Sequence, residues 1–191
     1  MEARSLRQMT IAAYVAFDRS EEARWEYVNG EAFAMSGARP EHNVVARNVV
    51  MALTNALRGR PCVALGSDQK IATTRTGAYH YPDASVVCGS PVRDTADDHA
   101  FANPVVLVEV LSPTTADYDR GGKFVHYRSI ETLREYLVID EVSRSVEHHV
   151  RARPDQWVLT ILEGGAIDLQ SISVSVPLAD LWVDVDRVKP G

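Results

Sequence analysis

The chain has 191 residues, 46% of them hydrophobic and 24% charged, and its 26 acidic and 20 basic side chains give a net charge of −6. That composition fits one globular domain able to bury its own core. It argues against a protein that coats nucleic acid through a broadly basic surface. No apolar run approaches the roughly 18 residues of a membrane span, and the opening MEARSLRQMT lacks the apolar stretch of a secretory signal. Cys62 and Cys88 have no metal-ligand spacing around them and read as buried free thiols, which places the protein in a reducing cytoplasm.

Residues 1–8 read as a flexible arm. In MTIAAYVAFD, Ile11, Tyr14, Val15 and Phe17 recur at helical spacing. WEYVNGEAFAM is two short strand-like halves about Asn29-Gly30, a strong hairpin signal. A long helix follows in PEHNVVARNVVMALTNALRG. Pro40 suits its first turn, Val45, Val49, Ala52, Leu53 and Leu57 form its apolar stripe, and Gly59 follows its end.

CVALGSDQKIAT then reads as one or two strands, HYPDASVVCG as another and PVVLVEVLS as a buried one. DYDRGGKFVHYRSI reads as a helix despite its two glycines, and EYLVID as a buried strand. SVEHHVR and QWVLTIL alternate like an antiparallel meander. ISVSV precedes Pro177 and a short helix about Leu178–Trp182. The mixed order of hairpin, helix, strands, helix and strands implies an α/β sheet with antiparallel additions. The expected division is an arm at 1–8, one domain at 9–183 and a tail at 184–191.

Five of the six residues from Val105 to Val110 are Val or Leu, and the sixth is Glu109. A carboxylate in such a buried run is expensive unless it is paired. Asp83, after Pro82, stands near the start of the preceding strand. If the two strands are neighbours their carboxylates converge, and a hard divalent cation such as Mg²⁺ resolves the repulsion. Lys123 is the nearest lysine that could orient water or steady phosphate charge. On a helix it shares a face with Asp119 and Tyr127, and an exposed Asp119–Lys123 pair is its plainer reading.

Together, YPDASVV, VVLVEVLSPTT and DYDRGGKFVHYRSIETLREYLVID, with RWEYVNGEAFAMSG and PEHNVVARNV upstream, resemble the Uma-two family of restriction-endonuclease-like proteins. The resemblance runs from about Met9 to Trp182. It implies the fold of the PD-(D/E)xK nuclease superfamily, a central mixed sheet flanked by helices, here with an N-terminal hairpin and a C-terminal meander. It also implies a Mg²⁺ or Mn²⁺ site in which Asp83 is the motif aspartate, Glu109 the second carboxylate and the Val110 carbonyl a further ligand. One position departs from the pattern: Leu111 stands where the superfamily has a lysine two residues after the glutamate. The resemblance therefore moves the lysine role to Lys123. Glu31, after the hairpin turn, could support the metal or be an exposed hairpin residue. His42, at the helix start, could act on a proton or phosphate or be simply solvated.

His148 and His149 alternate across a strand and cannot share one metal. GGK at 121–123 lacks the rest of a phosphate-binding loop. Ser112 lacks the context of a hydrolase nucleophile. The expectation is a Mg²⁺-dependent endonuclease acting on nucleic acid, DNA in the first place. The alternatives are a catalytically diverged, homodimeric binding module, with the meander from Arg144 to Leu162 as its pairing edge, or a metal hydrolase of another substrate.

Overall fold

The structure, a computed structural model, describes residues 5–6, 9–35, 37–112 and 116–189. Helix α1, Ile11–Ser20, starts at Thr10, whose hydroxyl accepts the Ala13 amide at 3.2 Å. A hairpin follows, formed by β2, Trp25–Val28, and β3, Glu31–Ala34. Its turn needs two positive φ angles, and Asn29 (52°) and Gly30 (89°) provide them. Helix α2, Pro40–Ala56, buries Val45, Val49 and Leu53, with Leu57 just beyond its end.

The next strands are β4, Cys62–Gly66, β5, Ile71–Thr73, β6, Ala78–His80, β7, Ala84–Cys88, and β8, Pro104–Val110. A π-helical turn, Tyr118–Lys123, continues into α3, Phe124–Tyr127, within the single helix expected from sequence. Strand β9, Glu135–Asp140, leads into the meander of β10, Ser145–Arg153, and β11, Gln156–Leu162. Strands β12, Ala166–Leu169, and β13, Val174–Pro177, form a pair before α4, Leu178–Leu181. The short strands β6 and β12 carry no sequence signal of their own.

Among the described residues the central sheet runs β11-β10-β9-β8-β7-β4, with β8 and β9 parallel and the other pairs antiparallel. Strand β8 is buried on both faces, so its alternation sends side chains into two different cores. Val106, Val108 and Val110 face α2, α4 and the β12–β13 pair. Leu107 and Leu111 face Tyr127, Ile130, Leu133 and Tyr136 on the opposite side, and Glu109 shares that alternation. A second sheet begins with Ser5–Leu6 (β1) and runs β1-β3-β2-β6-β5. It packs under α1 through Tyr14, Trp25, Tyr27 and Tyr79. Its β5 residue Ile71 joins the core beneath Leu107.

Three expectations change. Of the arm at 1–8 only Ser5–Leu6 are described, and they pair with β3. The tail expected from 184 opens with the 3-10 turn Val185–Arg187, and Val185 is fully buried against the α2 core, so packing continues past 183. Cys62 and Cys88 form a disulfide (S–S 2.04 Å) and are half-buried, which overturns the free-thiol reading. The β4–β7 register places the two cysteines directly opposite each other, a proximity hidden by their separation of 26 residues. None of the described helices is long and apolar enough to cross a membrane.

Lys70, also buried, lies 2.6 Å from Asp18 and 2.5 Å from Asp97, and Arg19 reaches Asp97 at 2.7 Å. This cluster fastens α1 and the loop after β7 to the second sheet. It is separate from the carboxylates of β7 and β8.

Candidate active site

Strands β7 and β8 pair antiparallel with Ala84 opposite Val108, and one further step along that register sets Asp83 against Glu109. Asp83 lies just before β7, and its Oδ2 accepts the Val110 amide at 2.8 Å. The same oxygen is 3.3 Å from His42 Nε2 in the first turn of α2. Burial disfavours the imidazolium, but the Asp83 carboxylate and the Val110 carbonyl outweigh it and raise the His42 pKa above its ordinary value. The register thus places Asp83 and Glu109 across neighbouring strands, and the Asp83 charge is among those that raise Glu109.

Glu109 is 3% exposed. Its Oε1 accepts the Tyr127 hydroxyl at 2.7 Å and the Lys123 ammonium at 3.1 Å. Lys123, 6% exposed, approaches from the helix that covers this face of the sheet. Its Nζ also lies 3.1 Å from Glu26 Oε1 and 3.2 Å from Asp119 Oδ1. The exposed Asp119–Lys123 pair is thus corrected to a buried one, because the helix turns both residues inward onto β8.

One ammonium faces three carboxylates, so the charges do not balance. Burial disfavours a charged Lys123, but Glu109, Glu26 and Asp119 outweigh it and raise its pKa well above the usual lysine range. Burial works to raise Glu26 as well, yet Lys123, His80 and the Tyr81 amide hold it down to about 2. Glu109 goes the other way. Burial, with the charges of Asp119, Asp83 and Glu26, raises it well above the usual carboxylate range despite Lys123. The cluster thus opposes ionisation of Glu109 and favours the charged forms of Lys123 and Glu26.

Sequence reasoning missed Glu26 and named Glu31 as a secondary candidate. Glu31 sits at the hairpin end opposite Val28, whereas Glu26, further down β2, enters the cluster. The available signal was a carboxylate between Trp25 and Tyr27, which alternation turns to the other side of β2. His80 was missed too. It is fully buried, its Nδ1 is 3.5 Å from Glu26 Oε2, and its ring meets Tyr127 edge-on at 5.3 Å.

Among the described residues, no three His, Cys, Asp or Glu side chains converge as a ready ligand set. The two facing carboxylates nevertheless each keep an oxygen that takes none of the hydrogen bonds made by the described residues, Oδ1 of Asp83 and Oε2 of Glu109. That donor set suits Mg²⁺, which takes one or two protein carboxylates and keeps several waters.

A family model described as "Putative restriction endonuclease", Uma2, matches residues 11–185. The chain belongs to the Uma2 family. Two uncharacterized proteins of Synechocystis sp. (strain ATCC 27184 / PCC 6803 / Kazusa) are similar to this Uma2 chain. Protein sll1609 is 31% identical over 162 residues, covering 85% of this chain and 92% of its own length. Protein slr1290 is 32% identical over 163 residues, covering 85% of each. The crystal structure of "a putative nuclease belonging to DUF820" from Anabaena variabilis ATCC 29413 superposes with a TM-score of 0.75 at 17% identity. The match covers 93% of this chain and 99% of that one, so the two share a fold.

Proposed function

We propose that this Uma2 protein is a metal-dependent endonuclease that hydrolyses phosphodiester bonds in nucleic acid, DNA in the first place. The observation that carries the reading is the pair Asp83 and Glu109 across β7 and β8, with the Lys123 ammonium 3.1 Å from Glu109. Asp83 Oδ1 and Glu109 Oε2, with the Val110 carbonyl beside them, are the atoms that would hold Mg²⁺ or Mn²⁺. Such an ion supplies Lewis acidity at the phosphoryl oxygens and an acidified water. Lys123 places a fixed positive charge beside Glu109, where it would orient a water and face the negative charge that develops on the phosphoryl oxygens. Tyr127 fixes the rotamer of Glu109 through its 2.7 Å bond. His42, touching Asp83 and half-buried, is placed to exchange a proton at the edge of the site.

The test is cleavage of plasmid DNA and of RNA with Mg²⁺ or Mn²⁺, alongside calorimetric titration of the ion, for the wild type and Asp83→Asn. The expected result is metal-dependent cleavage and ion binding, both lost in a variant that still melts cooperatively. A wild type that cleaves neither polymer with either ion, or equal activity in both proteins, would refute the reading.

A second reading, a diverged homodimeric module, is favoured by the edge strand β11, which exposes Val158, Leu159 and Ile161. Sedimentation of the wild type against Ile161→Lys tests it, and a monomer at all concentrations would remove it.

A further inference from the structure

In a chain with six more acidic than basic residues, carboxylate partners are plentiful. Arg19, Arg24, Arg39, Arg120 and Arg144 each hold one. Four arginines around the end of α3 hold none among the described residues. Arg128 and Arg153 are exposed and make no side-chain hydrogen bond to a described residue, and exposed Arg134 donates only to the carbonyls of Glu131 and Leu133. Arg151 lies among them. Its guanidinium donates to the carbonyls of Arg128 (2.7 Å), Ile130 (2.9 Å) and Pro154 (3.1 Å), and stacks 4.6 Å over the Trp157 ring. Its amide bonds the Arg134 carbonyl at 2.8 Å, and Arg153 stands two residues further along β10.

Contacts through Arg151 bring Arg128 and Arg134 beside it and Arg153 follows two residues on, with Glu131, Glu135 and Asp155 as the nearby acids in sequence and Glu135 bonded to His148 and Ser171. The platform beneath is rigid: Trp157 packs edge-on against Phe124 at 5.2 Å, and Phe124 stacks on Tyr136 at 5.4 Å. Phe124 directly follows Lys123.

We propose that Arg128, Arg134, Arg151 and Arg153 form a docking surface for the phosphate backbone of a nucleic acid. The proposal rests on the endonuclease reading and deepens it. Strand β9 joins the two places: Arg134 precedes it, and Val138 on it is level with Glu109. Four residues of strand span about 13 Å at ~3.3 Å each. That distance is about four nucleotides along one strand of a duplex at ~3.4 Å apiece. Both the patch and Lys123 belong to the helix-covered face of the sheet, with Lys123 itself buried beneath the helix. Guanidinium groups suit phosphate because their planar donors match its oxygens in pairs.

The test is fluorescence anisotropy of a short labelled DNA duplex at several salt concentrations, with EDTA present. Arg128→Glu combined with Arg153→Glu leaves Arg151 and its carbonyl contacts in place. The control is Arg58→Glu with Arg60→Glu, the same charge change beyond the C-terminal end of α2. The patch variant is expected to bind about tenfold or more weakly and to lower the salt slope by about 1–2. The control should stay within about twofold. Equal weakening in both variants, no weakening in either, a wild type that binds no duplex, or a wild type that binds anionic phosphatidylserine vesicles in preference to the duplex would each overturn the proposal. Hydrolysis of bis(p-nitrophenyl) phosphate with Mn²⁺, a substrate too small to reach the patch, should persist in the patch variant. Its absence from the wild type would count against the endonuclease reading alone and leave the anisotropy result standing.

Discussion

Replacing Lys123 by methionine keeps the length of the side chain and removes the one cation among three carboxylates. At 3.1–3.2 Å each contact is worth about 5 kcal/mol of gross attraction at an effective dielectric of ~20, most of it offset by desolvation and by repulsion among the acids. Breaking a buried pair from one side typically costs about 3–5 kcal/mol, and Lys123→Met should lose that much stability at pH 8. The loss should also depend on pH. In the wild type Glu26 is held down to about 2, so its contribution is complete above the ordinary carboxylate value of 4.5 and fades as pH falls toward 2. Without Lys123 the largest lowering influence on Glu26 is gone, so its pKa moves up toward the ordinary value and the stability it contributed is lost. Urea unfolding followed by tryptophan fluorescence should therefore show a deficit that is largest at pH 8 and smaller at pH 3. A deficit below about 1 kcal/mol, or one that does not change with pH, would refute the argument that Lys123 balances buried charge.

Mg²⁺ should compete with the proton on Glu109. Its affinity should rise with pH by up to about tenfold per unit below the Glu109 titration, and calorimetry in buffers of different ionisation enthalpy should detect proton release. A Cβ at Gly122 would come 2.3 Å from the Tyr118 ring, so Gly122→Ala should cost about 1–3 kcal/mol in thermal unfolding. Gly121, with nothing within 4 Å, should accept alanine at no cost or with a gain of up to about 1 kcal/mol. Peptide mapping without reductant should recover Cys62 linked to Cys88, and the double serine variant should lose about 3–4 kcal/mol of stability for a closed loop of this length.

Much of this architecture is legible where one physical signal dominates. Asn29-Gly30 can do little but turn, and the stripe of α2 specifies which face is buried. The charge inside β8 points to an unusual partner. Alternation along β8 also aims Glu109 at the helix carrying Lys123, and the i,i+4 spacing carries Asp119 with it, although nothing local marks that face as the buried one. What stays hidden is set by tertiary register. Cys62 meets Cys88 because β4 lies beside β7, and Glu26 reaches Lys123 because the second sheet packs against the helix. Lys70 acquires its partners only in the fold, where Asp18 and Asp97, distant in sequence, close over it. Strands as short as β6 and β12 are formed by their neighbours more than by their own side chains.

The ammonium at Lys123 draws its partners from β2, β8 and its own helix, and Glu26 on β2 precedes it by 97 residues (123 − 26). Closing the second sheet over β8 before the helix has docked would bury Glu26 and Glu109 with no cation between them, and the helix alone carries the ammonium that lowers that cost. Partial structures are penalised, and the two sheets and the helix layer should unfold as one cooperative unit, with amide hydrogen exchange in β2 and β8 governed by the same global opening.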